Sequence, residues 1–261
     1  MSHRRFVALG DSLTEGIGDG DEIRGYRGWA DRFAEHLARA DPGVQYANLA
    51  VRGRLAAEVR DGQVPAALAM EPDLVTVVVG MNDVIRPGCR VQEVADCLDD
   101  TFARLTAAGV RVATMTYPDV VRLTPLARLV VPRLLYLNAR VRAAARFGVT
   151  VVDLYPHAFA ADPRMWSPDR LHASEEGCVR LAAAFAQALG LESEEPDWTR
   201  PLPPALPRSL ATAITAETRW FAQCCVPWIY RRMRGRSSGD DCAPKRPVLT
   251  PVVGNDDLLS R

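Results

Sequence analysis

The chain has 261 residues, of which 48% are hydrophobic and 25% charged, enough apolar material for one large domain, or a domain with an appendage. Its 32 basic residues balance 32 acidic ones, so no overall field draws it to nucleic acid or to an anionic membrane. Six cysteines without C-x-x-C spacing and four histidines give no zinc pattern, and no apolar run reaches the ~18 residues of a membrane span. The first apolar run, Phe6 to Leu9, is too short for a secretory signal, and the expected setting is a reduced cytoplasm.

In chain order, strands are expected at 5–9, 45–50, 74–79, 111–116 and 150–154. The run Val75-Thr76-Val77-Val78-Val79 is almost continuously apolar, as a strand covered on both faces requires. Between these strands, 3.6-residue periodicity predicts helices at 29–40, 55–70, 91–108 and 134–147, and a last helix at 175–189. Gly109 and Gly148 stand where helix stops belong. Strict alternation with short connections predicts an α/β domain over residues 1–191, with a parallel sheet and helices on both faces.

After Gly190 the composition changes, and residues 192–261 are expected to form an extension. An acidic, then proline-rich strap leads to a helix over 209–234, broken near Pro227 and carrying Trp220, Phe221 and Trp228. From residue 235 onward Gly, Ser, Asp and Pro predict a mobile end. The run Arg231-Arg232-Met233-Arg234-Gly235-Arg236 reads as a solvated helix end, with contact to a membrane surface or an anionic partner as the alternative.

Chemistry gathers at the carboxyl ends of the strands, where open parallel sheets bind ligands. Strand one runs into Gly10-Asp11-Ser12-Leu13, strand two into Val51-Arg52-Gly53, strand three into Gly80-Met81-Asn82-Asp83. After strand five comes Ser167-Pro168-Asp169-Arg170-Leu171-His172. Ser12 is a nucleophile once a base takes its proton, and His172 is a base of the right type. Asp169, three residues earlier, is placed to accept from the imidazole Nδ1 and fix its tautomer. The Gly53 and Ser12 backbone N–H groups and the Asn82 amide supply donors for a developing oxyanion. Asp11 and Asp83 are expected to hold the loops by hydrogen bonds, and His157 to be structural. Each fragment alone is a common turn; all of them at successive strand ends are not.

With these blocks the sequence resembles the SGNH subgroup of the GDSL esterase/lipase family over residues 5–190. The residues that name the subgroup fall on Ser12, Gly53, Asn82 and His172, with Asp169 in the Asp-x-x-His spacing. The second block is the loosest match, because Ala50-Val51-Arg52 replaces the usual small residue before the glycine. The resemblance implies a flavodoxin-like three-layer α/β/α sandwich with a five-stranded parallel sheet. It also implies hydrolysis of carboxylic esters through an acyl-serine, with no metal or organic cofactor. Residues 192–261 lie outside it.

Arg24, Arg27 and Trp29 tilt the expected substrate toward a short acyl group on a polar alcohol, while the apolar stretch 126–132 leaves a longer chain open. The same acyl-enzyme would serve an acyltransferase. A scaffold protein docking a membrane or partner through its extension is a third reading, opposed by the five intact catalytic-type residues.

Overall fold

A computed structural model describes residues 3–191, 197–204, 209–234 and 236–252. The chain begins with β1 (Arg5–Gly10), whose alternate side chains divide between two apolar clusters. Phe6 and Ala8 join one cluster, Val7 and Leu9 the other. Then follow α1 (Ser12–Glu15), a small hairpin of β2 (Gly20–Asp21) and β3 (Gly25–Tyr26), α2 (Gly28–Ala40) and β4 (Gln45–Asn48). Next come α3 (Ala56–Glu58), α4 (Val64–Leu68), β5 (Leu74–Val78), α5 (Met81–Val84), α6 (Val91–Ala107) and β6 (Arg111–Met115). The core closes with α7 (Val131–Ala143), β7 (Thr150–Val152) and α8 (Glu175–Ala188); α9 (Leu210–Trp220), α10 (Val226–Met233) and β8 (Arg246–Pro251) belong to the extension.

The sheet order is β7-β6-β5-β1-β4-β8. The five expected strands all run parallel, in the doubly wound order of a flavodoxin-like sheet. Every residue of β5 is buried, because helices cover both faces. On one face α2 and α8 bring Trp29, Phe33 and Phe185 against Phe6 and Tyr46, with the Trp29 and Phe185 rings stacked at 4.4 Å. On the other, Phe102 and Leu105 of α6 and Leu137 of α7 meet Val7, Val75 and Val77. Each such fully buried side chain contributes roughly 1.5–3 kcal/mol.

The expected five-stranded sheet is corrected to six strands. β8 lies antiparallel on β4, pairing Tyr46 with Thr250 and Asn48 with Arg246. The same strand corrects the expectation of a mobile end from residue 235, as far as residue 252; residues 253–261 lie outside the described set. Pro247 and Pro251 hid it, since proline cannot donate to a ladder and is tolerated on edge strands alone.

The helix expected at 55–70 is divided, and the one at 209–234 breaks earlier than Pro227, in the same way. A π-helical stretch, Val59–Gln63, precedes Val64-Pro65, and another, Phe221–Cys225, precedes Val226-Pro227. A proline ring collides with the carbonyl four residues back, and the wider π turn upstream relieves that collision.

Candidate active site

Ser12 opens α1 directly at the end of β1, with Asp11 as the N-cap. β1 lies between β4 and β5, so this is the point where the sheet order reverses and a crevice opens. Gly10 makes the turn possible: its φ is +150°, and a Cβ there would stand 2.2 Å from the Val78 carbonyl oxygen. Gln63, from the first π stretch, clamps the same peptide, accepting from Gly10 N–H at 2.8 Å and donating to its carbonyl at 2.9 Å. Nothing in the sequence singled out Gln63, since a lone glutamine in a helical pattern carries no motif.

The loop from β7 to α8 carries the other two residues across 160 positions to Ser12. His172 Nε2 lies 2.7 Å from Ser12 Oγ, and His172 Nδ1 lies 2.6 Å from Asp169 Oδ2. The expected turn around Pro168 is present: Arg170 N–H donates to Ser167 O at 2.9 Å. Arg170 takes a left-handed φ of 62°, a strained conformation that the surrounding bonds impose. Asp169 Oδ1 accepts from Ser167 Oγ at 2.7 Å, Leu171 N–H at 2.9 Å and His172 N–H at 3.0 Å. Burial raises the Asp169 pKa, but the His172 bond and charge and these further donors outweigh it and hold the carboxyl well below the usual range. An ionised Asp169 keeps the proton on Nδ1, leaving Nε2 to accept from Ser12.

Asn82 stands in α5 at the end of β5. Its Nδ2 donates to Asp11 Oδ2 at 3.0 Å and to Arg54 O at 3.2 Å. Both amide hydrogens are therefore engaged. Gly53 has a φ of +77°. Its loop is tied to the first block: Arg52 N–H donates to Glu15 Oε2 at 2.6 Å, and the Arg52 guanidinium reaches Glu15 Oε1 at 2.7 Å. This pair accounts for the atypical Arg52 in the second block.

The two neighbouring aspartates hold loops, as expected. Asp11 Oδ1 accepts from Leu13 N–H at 3.2 Å, and Asp83 Oδ2 from Ala56 N–H at 3.1 Å. Burial pushes the Asp11 carboxyl up to about 7 and that of Asp83 to about 6. His157 lies apart from the site, its ring 4.9 Å from that of Trp198. Two residues used to infer the substrate prove structural: Trp29 is fully buried beneath α8, and Arg27 pairs with Glu35 at 2.5 Å. Their conformations follow from core burial and a local ion pair, so they no longer bear on the substrate. Leu126 and Leu129 are exposed.

The extension packs on the core, and no motif in the sequence places its side chains beside Asp169 and Gly53. Trp220 Nε1 donates to the Asp169 carbonyl at 2.8 Å, while Arg170 pairs with Glu217 at 2.7 Å and lies over the Trp220 ring. Further along, Ser237 reaches Gly53: a Cβ added to that glycine would lie 2.2 Å from Ser237 Oγ. Gly53 and Asn82 thus share a small cleft with Trp228, Arg231, Arg236 and Ser237. Among the described residues no group of three or more His, Cys, Asp or Glu is arranged to hold a metal ion, and no helix is long and apolar enough to cross a membrane.

Residues 8–179 match the model of the GDSL-like lipase/acylhydrolase family, and the chain belongs to that family. Its fold is shared with an α/β hydrolase from the metagenome of Lake Arreo, Spain (LAE5), at a TM-score of 0.60 and 22% identity over 72% of this chain and 95% of that one. The acetylxylan esterase Axe2 from Geobacillus stearothermophilus superimposes at 0.60 with 20% identity, covering 77% of this chain and 99% of its own. A lipase/acylhydrolase from Enterococcus faecalis does so at 0.57 with 20% identity, covering 73% and 98%. None of the curated proteins matches this chain in sequence.

Proposed function

We propose that the protein is a serine esterase that cleaves carboxylic esters through an acyl-Ser12 intermediate. The observation that carries this reading is the continuous relay from Asp169 through His172 to Ser12, at 2.6 and 2.7 Å, beside Gly53 and Asn82. Ser12 Oγ attacks the ester carbonyl as His172 Nε2 takes its proton. The carbonyl oxygen becomes an oxyanion that receives hydrogen bonds from the Ser12 and Gly53 backbone N–H groups and from Asn82 Nδ2. As the first residue of α1, Ser12 has an N–H with no partner within its own helix. His172 then returns the proton to the leaving alcohol, and water, activated by the same base, releases the acid and frees Ser12.

A short acyl group on a polar alcohol fits best, because Ser237 and Trp228 narrow the cleft beside Asn82. Acetylxylan, the substrate named for Axe2, is an ester of that class. The test is a panel of 4-nitrophenyl esters of increasing acyl length, with and without an added alcohol. The reading predicts the highest kcat/KM for acetyl or propionyl esters and a predominance of free acid over transfer product. A maximum at long chains would overturn the short-acyl assignment, and a predominance of transfer would make the protein an acyltransferase.

A further inference from the structure

The cleft beside the candidate oxyanion donors has an unusual charge. Arg86 follows α5 in the core, while Arg231 on α10 and Arg236 just beyond it come from the extension; all three line the cleft with Gly53 and Asn82. Among the described residues no carboxylate lines it. Asp83 lies near enough to Arg86 to feel its charge, and its carboxyl is turned to Ala56 N–H. Arg231 and Arg236 therefore bring positive charge to a lining without a described carboxylate, and Asp240 beside it accepts from Ser237 N–H. The segment that reads in sequence as a solvated helix end thus brings Arg231 and Arg236 to the cleft that Gly53 and Asn82 line.

Its placement is secured at both ends. Before it, Trp220 is bonded to the carbonyl of Asp169. After it, Ser237 N–H donates to Asp240 Oδ2 at 2.8 Å, and Lys245 Nζ donates to the carbonyls of Tyr26 and Arg27 at 2.9 and 2.7 Å and pairs with Asp31. Beyond that, β8 joins the sheet. The guanidinium groups are consequently carried on a segment that the core holds in position, and a planar guanidinium fork matches a carboxylate or phosphate.

We propose that the extension makes this cleft a seat for an anionic group, so that the preferred ester carries a carboxylate or phosphate close to its reacting carbonyl. This rests on the reading of Ser12 as an esterase nucleophile. The anion sits on the acyl side or on the alcohol side; either one brings it beside the oxyanion donors. Arg231 and Arg236 are specificity-determining residues in this scheme. Both are exposed, so water screens them, and the effect is a preference of roughly tenfold in place of an absolute requirement.

The test uses the full chain and two matched ester pairs. One pair is 4-nitrophenyl hydrogen glutarate against its neutral methyl ester, with the anion on the acyl side. The other is 3-acetoxybenzoate against methyl 3-acetoxybenzoate, with the anion on the alcohol side. Rates are divided by those of hydroxide-catalysed hydrolysis to remove intrinsic reactivity. The proposal predicts that one pair shows a kcat/KM ratio of about 10 in favour of the anion, falling as salt rises. The ratio should approach 1 in an Arg231→Gln, Arg236→Gln variant and recover in the corresponding double lysine variant. Should the double glutamine variant fold poorly, the single variants and the salt titration of the parent read the same effect. Hydrolysis of the neutral esters with a ratio near 1 in both pairs overturns the anion seat and leaves the esterase reading standing. So does a high ratio that persists in the glutamine variants. Failure to hydrolyse any of the four esters, with no labelling of Ser12 by a fluorophosphonate, overturns both.

Discussion

The core and the extension meet at one site but are held there differently. In the core the candidate catalytic groups are held by short bonds: the Asp169 carboxylate alone accepts from Ser167, Leu171 and twice from His172. The extension makes widely spaced contacts, among them the indole bonds of Trp198 and Trp220, the Arg170–Glu217 pair, the Lys245 anchor and an edge strand. The two regions divide the labour. Reacting atoms need sub-ångström placement, and densely bonded turns at strand ends supply it. A wall that selects substrates needs position and charge, which a strap tied at intervals provides.

The sharpest break in this comparison is expected from the most densely bonded residue. Asp169→Asn keeps the shape of the turn but replaces an acceptor with an amide that does not favour the same imidazole tautomer. Steady-state kinetics should show kcat reduced by up to ~10⁴-fold. A loss below ~3-fold would make Asp169 a turn residue and leave a Ser12–His172 dyad.

Asn82→Ala should follow, with kcat lowered by roughly 10²–10³-fold and KM little changed, because the donor acts on charge that develops in the transition state. A raised KM with kcat intact would place Asn82 in substrate binding.

The third effect falls on the extension. Trp198 is only 8% exposed, lies against Phe159 and His157, and donates to Gln187 at 2.5 Å. Deleting residues 192–261 uncovers that apolar surface and strips β8 from β4. At ~2–4 °C per kcal/mol for a domain of this size, the melting temperature should fall by about 10 °C. An unchanged melting temperature would show that the extension contributes nothing to the stability of the core.

The smallest effect concerns pH. Burial above all raises the Asp11 carboxyl to about 7, against the Leu13 N–H bond, the His172 charge and the Asn82 amide, which lower it. A group with a raised folded pKa stabilises the fold fully below its unfolded value, near 3.8, and that contribution is lost as pH rises through about 7. Between pH 5 and 8 the parent should therefore lose stability, on the order of 2 kcal/mol, that Asp11→Asn does not lose. Denaturant titrations at the two pH values read the difference. Parallel pH dependence in both proteins would show that Asp11 does not titrate in this range.

The same two regions differ in how much of them the sequence discloses. In the core, buried strands such as 74–78 are uniformly apolar, helices keep their period, and Gly-Asp-Ser, Gly-x-Asn-Asp and Asp-x-x-His stand where strands end. Pattern and chemistry agree there, so the sheet and the Ser12–His172–Asp169 arrangement could be anticipated. The split helix at 55–70 was less legible, because apolar periodicity runs on through a π turn and Pro65 is tolerated at a helix start. In the extension pattern and structure diverge. β8 carries two prolines and little alternation, and pairs on one side alone, so composition read it as mobile. Arg231 and Arg236 line one cleft with Gly53 and Asn82, a long-range juxtaposition that no local spacing records. Trp29 erred the other way, a striking side chain near the first block that the core simply buries.

Ser12 as the nucleophile is open to one decisive measurement, intact-mass and peptide analysis after treatment with a fluorophosphonate. The account predicts one adduct per chain, on the peptide containing Ser12, with hydrolysis lost in proportion to labelling and neither adduct nor activity in Ser12→Ala. An adduct on another residue, or a Ser12→Ala variant that labels and hydrolyses like the parent, would contradict it.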